Sequence, residues 1–157
     1  GDGALDIDAG CARGVCAGSS MRAAASATGA ELDCEQPFED FSEYWSCRFG
    51  SGITATGYAL EGGDTLPDPT FITSVSVGDG FVGATFDGLG LGVPPGCFVE
   101  TLGTPQGITM EQIKGGWAIS SMSWEGVRYS DWGDGTSFEP VGHATQLSLS
   151  GRGDDET

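Results

Sequence analysis

The side chains here with the most distinctive chemistry are five cysteines and a single histidine. Four cysteines fall in two local pairs, Cys11 with Cys16 and Cys34 with Cys47. Either pair could close a disulfide, and Cys11-x4-Cys16 could also be half of a zinc site. Structural zinc wants four nitrogen or sulfur ligands, and His143 lies far along the chain. Both pairs are therefore expected to be disulfides. Closing the loop from Cys34 to Cys47 stabilises by about 3 kcal/mol on the chain-entropy account. Cys97, between Pro94-Pro95-Gly96 and Phe98-Val99, is expected to be a buried, inert thiol.

His143 is the one candidate general base titrating near neutrality. No Gly-x-Ser-x-Gly elbow accompanies it, so it reads as an ordinary surface or rim residue. The 23 acidic residues allow many carboxylate pairs of the kind used in glycoside hydrolysis, and nothing singles one out. Asp131-Trp-Gly-Asp134-Gly-Thr136 has acids and glycines at calcium-loop distances but lacks the full EF-hand spacing. A turn is the expected reading there, as it is for Asp64 and Asp68. Arg152-Gly153-Asp154 is an integrin-type tripeptide in a tail, and no function is assigned to it. The sequence thus points to no enzyme, no metal and no cofactor.

The aromatic residues say more. Trp117, Trp124, Tyr129 and Trp132 cluster on two neighbouring segments, with Tyr58 and Phe49 as counterparts earlier in the chain. Side chains alternate along a strand, so Trp117 and Trp124, seven apart, are expected on opposite faces. Trp45 and Trp117 are expected to pack under helices. Trp124 or Trp132, with Tyr129, then becomes the expected contact surface for another protein, together with Tyr58 and Phe49.

Charge limits the partner. The net charge is −17. Residues 1–80 carry 13 acidic against 3 basic groups, giving −10, and residues 81–157 carry 10 against 3, giving −7. Nucleic acid is excluded, because phosphate contacts need Lys and Arg, and an anionic membrane surface is disfavoured for the same reason. A protein with a basic surface fits. No apolar run is long enough to span a membrane. The chain opens at Gly1 on acidic, Gly-rich sequence without Met, and reads as a processed or truncated form. With the cysteines, this points to a secreted, extracellular or cell-surface setting.

The elements that must position these residues show a recurrence. Thr73-Ser-Val-Ser-Val77 returns 72 residues later as Thr145-Gln-Leu-Ser-Leu149. Trp45 and Trp117 share that offset, as do Phe38-Glu39-Asp40-Phe41 and Met110-Glu111-Gln112-Ile113. The pattern predicts two units, 1–80 and 81–150, followed by a flexible acidic tail, 151–157. In the first, Ser19 or Ser20 caps a helix over 20–28 that ends at Gly29. Residues 37–43 form a helical turn. Strands follow over 44–49, 53–60 and 71–77, the last with Phe71, Thr73, Val75 and Val77 on one side. Gly50-Ser51-Gly52 connects the first two strands, and 4–8 is a short edge strand. In the second unit a strand covers 81–86, Pro95 sits where a first helical residue would, and a helix covers 97–102 and stops at Gly103. Thr109-x-x-Gln112 has capping-box form and opens a short helix to Lys114. Strands cover 117–124, 127–132 and 142–150. The expected fold class is α+β: two tandem repeats, each a helix, a loop and a short helix packed on a three- to four-stranded antiparallel sheet with one open face.

The run from Gly18 through Met21-Arg22 to Gly29, followed by Cys34 and Cys47-Arg48, resembles the beta-lactamase inhibitory protein family and related secreted actinobacterial proteins. The resemblance implies this tandem fold, with the disulfide entering the first strand. In that family an acidic hairpin loop enters the enzyme, whereas Gly50-Ser51-Gly52 carries no acid. The second unit also lacks paired cysteines. The fold is thus carried over more readily than the inhibition. The expected function is a secreted protein-binding module, with inhibition of an extracellular enzyme as one form. The alternatives are a structural or cell-surface assembly subunit and, more weakly, a carboxylate-dependent hydrolase.

Overall fold

The computed structural model describes residues 1–133 and 139–152. The chain begins with three two-residue strands, β1 (Leu5–Asp6), β2 (Cys11–Ala12) and β3 (Val15–Cys16), which pair in order as a small antiparallel sheet. Arg13 and Gly14 both sit at positive φ and form the tight turn that brings Cys11 opposite Cys16. These two are disulfide-bonded, with Cα atoms 4.1 Å apart.

Helix α1 (Met21–Thr28) starts where the Ser20 hydroxyl accepts the Ala23 N–H at 3.1 Å, and stops at Gly29, which takes φ 73°. It buries Met21 and Ala24. Four strands follow: β4 (Asp33–Glu35), β5 (Tyr44–Gly50), β6 (Ile53–Ala59) and β7 (Thr70–Val77). The second disulfide joins directly opposed residues of β4 and β5, Cys34 and Cys47. After α2 (Pro95–Leu102) come β8 (Gly107–Ile113), β9 (Gly116–Trp124), β10 (Val127–Ser130) and β11 (Gln146–Leu149).

All eight later strands form one antiparallel sheet in the order β4-β5-β6-β7-β11-β10-β9-β8. The two stretches that recur at an offset of 72 are neighbours at its centre, where the Ser76 and Ser148 hydroxyls hydrogen-bond at 3.0 Å. One face is packed. Val75, Val77, Leu147, Leu149 and Tyr129 meet Met21 and Ala24 of α1, Phe98 of α2, and Leu5, Ala12 and Val15 of the small sheet in one apolar cluster. The opposite face carries Thr54, Thr56, Ser74, Ser76, Ser148 and Arg128, all at least partly exposed.

This is a mostly β architecture and corrects the expected α+β repeat of paired helices on small sheets. Neither short helix exists. Residues 37–43 are turns, and 107–113 are the edge strand β8. The Thr109-x-x-Gln112 signal loses to the alternation that pairs Ile108 with Met122 and Met110 with Ile119. Residues 81–86 are not a strand of the large sheet either. Their backbone is engaged by the N-terminal segment: Leu5 N–H donates to Ala84 O at 3.1 Å, and Ala84 N–H donates to the Asp2 carboxylate at 2.9 Å. Cys97 is exposed, not buried, because α2 turns Phe98 inward in its place.

Two irregularities decide which residues face out. The β6–β7 register shifts between Thr56 and Gly57, leaving Thr73 as the extra residue of β7. Alternation therefore reverses there. Thr70 and Ile72 go inward, and Phe71 moves to the face opposite Val75 and Val77. The same happens between Thr109 and Met110, where Ser120 is the extra residue of β9. That bulge returns Trp117 to the same face as Trp124.

Candidate functional site

The reversal at Thr73 assembles a row of aromatic rings on the open face. Tyr44 of β5 pairs with Tyr58 of β6, and Tyr58 pairs with Phe71 of β7. The Tyr44 and Tyr58 rings are 4.9 Å apart between centroids. Phe38, from the β4–β5 loop, lies 5.5 Å from Tyr44, and Phe41 stands perpendicular to Phe38 at 6.5 Å.

The loop presenting Phe38 and Phe41 is held by its own turns. Phe41 N–H donates to Phe38 O at 3.2 Å, and Tyr44 N–H donates to Phe41 O at 3.1 Å. The Gln36 side-chain amide donates to Ser42 O at 2.9 Å and to Gly63 O at 2.6 Å, which ties it to the β6–β7 loop. Phe38, Phe41, Tyr44 and Tyr58 together line a notch of about 280 Å³ with no other side chain in its wall. Phe38, Phe41 and Tyr58 are 55%, 60% and 52% exposed.

Acids share the same two loops: Glu39, Asp40 and Glu43 in the first, Glu61 and Asp64 in the second, all exposed. The sequence has no Lys or Arg between Arg22 and Arg48, or between Arg48 and Lys114. Arg48 itself pairs with Asp33 at 3.1 Å. Toward the other end of the face, a shallow groove of about 520 Å³ is lined by Arg48, Thr54, Thr56, Ser76 and Gln146 together with Ile53 and Val77.

Of the residues expected to form the contact surface, Tyr58 is in the row. Phe49 is half-buried and packs against the core. Trp124 and Tyr129 are not on the open face. The β9–β10 register sets them beside Val127 and Met122 under α2, where Phe98 packs on both rings. Trp124 also donates its indole N–H to Gly103 O at 2.9 Å. Trp132 is 37% exposed but follows β10 level with the Val77 end of β7, away from Phe71. Trp45 is buried as expected, whereas Trp117 is 64% exposed near the β8–β9 turn. Sequence reasoning missed Phe38, Phe41, Tyr44 and Phe71. The signal available was the interleaving of aromatics with Glu39, Asp40 and Glu43, acids that cannot follow the rings into a core.

A second cluster is structural in its geometry. Asp131 is fully buried and accepts the N–H groups of Val141 at 2.9 Å, Gly142 at 2.8 Å and His143 at 3.1 Å. Two of those donors, Gly142 and His143, are thereby taken from the expected strand over 142–150, and β11 starts at Gln146. Burial first, and the neighbouring Asp131 carboxylate second, push the Tyr129 phenol well above its ordinary pKa. Asp134, the second acid of the calcium-type spacing, lies outside the described residues, as do Gly153 and Asp154 of the integrin-type tripeptide. Among the described residues no three His, Cys, Asp or Glu side chains are grouped to hold a metal, and no helix is long and apolar enough to cross a membrane. Comparisons with protein families, with curated proteins and with solved structures return no match.

Proposed function

We propose that this chain is a non-enzymatic binding module that docks a basic protein surface through the aromatic row of its open sheet face. The observation that carries the reading is the row itself, five aromatic side chains from one loop and three strands set side by side on one face. Burying one such side chain stabilises by about 1.5–3 kcal/mol. A chain that leaves several together in water keeps that free energy for a partner. Aromatic anchors dominate many interfaces, and the surrounding acids would steer a basic partner and set its orientation. The two disulfides fit a non-reducing, extracellular setting. Inhibition of an extracellular enzyme is one form the binding could take.

The test immobilises the wild type beside Tyr58→Ala and Phe71→Ala and challenges all three with secreted protein. Proteins held by the wild type should be lost from both variants and released as salt rises. Equal retention by the variants would overturn the reading.

A second reading, assembly of copies through a free edge, is favoured by β8. This seven-residue strand ends the sheet with Ile108 54% and Met110 48% exposed. Light scattering decides it: a mass that grows with concentration and reverts in Met110→Lys supports assembly, and a constant monomer rejects it.

A further inference from the structure

Resting on the binding reading above, we infer that the notch formed by Phe38, Phe41, Tyr44 and Tyr58 takes the cationic side chain, Arg or Lys, of the partner protein. An aromatic ring has a negative face, and a cation over it is attracted by the ring quadrupole. A single ring does little in water, because the cation keeps most of its hydration. Four rings around one notch change that balance, since they can replace hydration on several sides at once.

The wall here is aromatic throughout. No acidic residue lines it, and two of its four residues, Tyr44 and Tyr58, carry hydroxyls. It is lined for a cation with apolar stem carbons. Arg and Lys have this form, with a methylene stem to pack on Phe38 and Phe41 and a charged head to face the rings.

Charge argues the same way. Glu39, Asp40, Glu43, Glu61 and Asp64 sit on the two loops that border the notch. They raise the local concentration of cations without closing the entrance. Arg22 reaches the second of these loops, donating to Leu66 O at 3.1 Å, but no Lys or Arg lines the notch itself. The aromatic–cation pair seen among the described residues is Arg13 over Phe81, at 5.6 Å, beside the N-terminal sheet. A neutral apolar anchor would gain nothing from the acids, and an acidic partner would be repelled by them. A cationic side chain satisfies both the rings and the rim.

The experiment titrates the full chain, labelled for aromatic NMR, with acetylated pentapeptides. Two carry a central Arg or Lys between Gly and Ser residues. Their neutral twins carry citrulline or acetyl-lysine. The charged peptides should shift the resonances of all four rings and bind about five- to thirtyfold more tightly than the twins. Phe41→Leu keeps an apolar side chain at an exposed position but removes a π face, and it should lose most of that discrimination. Phe41→Tyr should restore it. Equal binding of the neutral twins overturns the inference, as does the absence of ring shifts at millimolar peptide. Discrimination that survives Phe41→Leu also overturns it, because the acids alone would then account for the preference. Each of these outcomes leaves retention of a protein partner by the row untouched. Failure of the binding reading is seen separately, as equal retention by Tyr58→Ala and Phe71→Ala.

Discussion

The Asp131 side chain is fully buried, and its two oxygens accept three backbone N–H groups. Asp131→Asn replaces one accepting oxygen with an NH2 group that faces donors. The variant should lose about 2–4 kcal/mol in urea unfolding, and an unchanged midpoint would mean that the loop holds itself. Tyr129 gives a pH prediction of definite sign. Its unfolded phenol titrates at the ordinary value of 10.0, and its folded pKa is higher. Below that value both states keep the proton. Above it the unfolded state releases its proton first, so stability falls as pH rises, by up to about 1.4 kcal/mol per pH unit from this group. Tyr129→Phe should remove this component of the slope. Its hydroxyl meets the geometry of no hydrogen bond among the described residues, although Asp131 lies near enough to help hold its proton, so the same variant should change neutral-pH stability by only about 1 kcal/mol. Unfolding of both proteins on either side of pH 10 measures the difference.

At the scale of elements, the bulge in β7 is what turns Phe71 outward, and Gly57 is what permits it. A Cβ at Gly57 would collide with the carbonyl of Phe71 on the facing strand. Gly57→Ala should therefore cost about 2–4 kcal/mol and displace Phe71 relative to Tyr58, visible as a change in the β6–β7 pairing of these two residues. A variant with wild-type stability and strand pairing would show that β6 and β7 are not held at this distance. The same bulge explains where sequence reasoning stops. Helix α1 was legible because its signals are local: Ser20 at the cap, alanines within, Gly29 at the end. The disulfides were legible from spacing and compartment. Phe71 was not, because one extra residue, Thr73, reverses every side chain before it, and no local propensity marks where that residue falls. The bulge at Ser120 did the same to Trp117. Trp124 and Tyr129 were misplaced for a related reason: which face α2 covers is a tertiary fact, absent from the alternation itself. Residues 107–113 satisfied a capping-box pattern and a period-two pattern together, and the pairing with β9 decided between them.

At the scale of the whole molecule, the charge of −17 acts on the fold and on the partner with opposite signs. Within one chain the acids repel, which disfavours the compact state. The described ion pairs are three, Arg13–Asp2, Arg48–Asp33 and Arg152–Asp8, all with exposed side chains, and such pairs contribute about 0–1 kcal/mol each. They cannot offset a field set by 23 acidic groups. Added salt shortens the screening length from about 30 Å at 0.01 M to a few ångströms near 1 M. Thermal unfolding should accordingly shift upward over that range, by about 2–6 °C for a chain of this size. Retention of a basic partner should weaken across the same series, because its approach depends on the field that screening removes. Running both measurements on one salt series separates two accounts of the aromatic row. If the melting point rises while retention falls, the acids cost the fold stability and serve the encounter. If retention holds at high salt, the rings alone carry the contact and the surrounding acids act only on solubility.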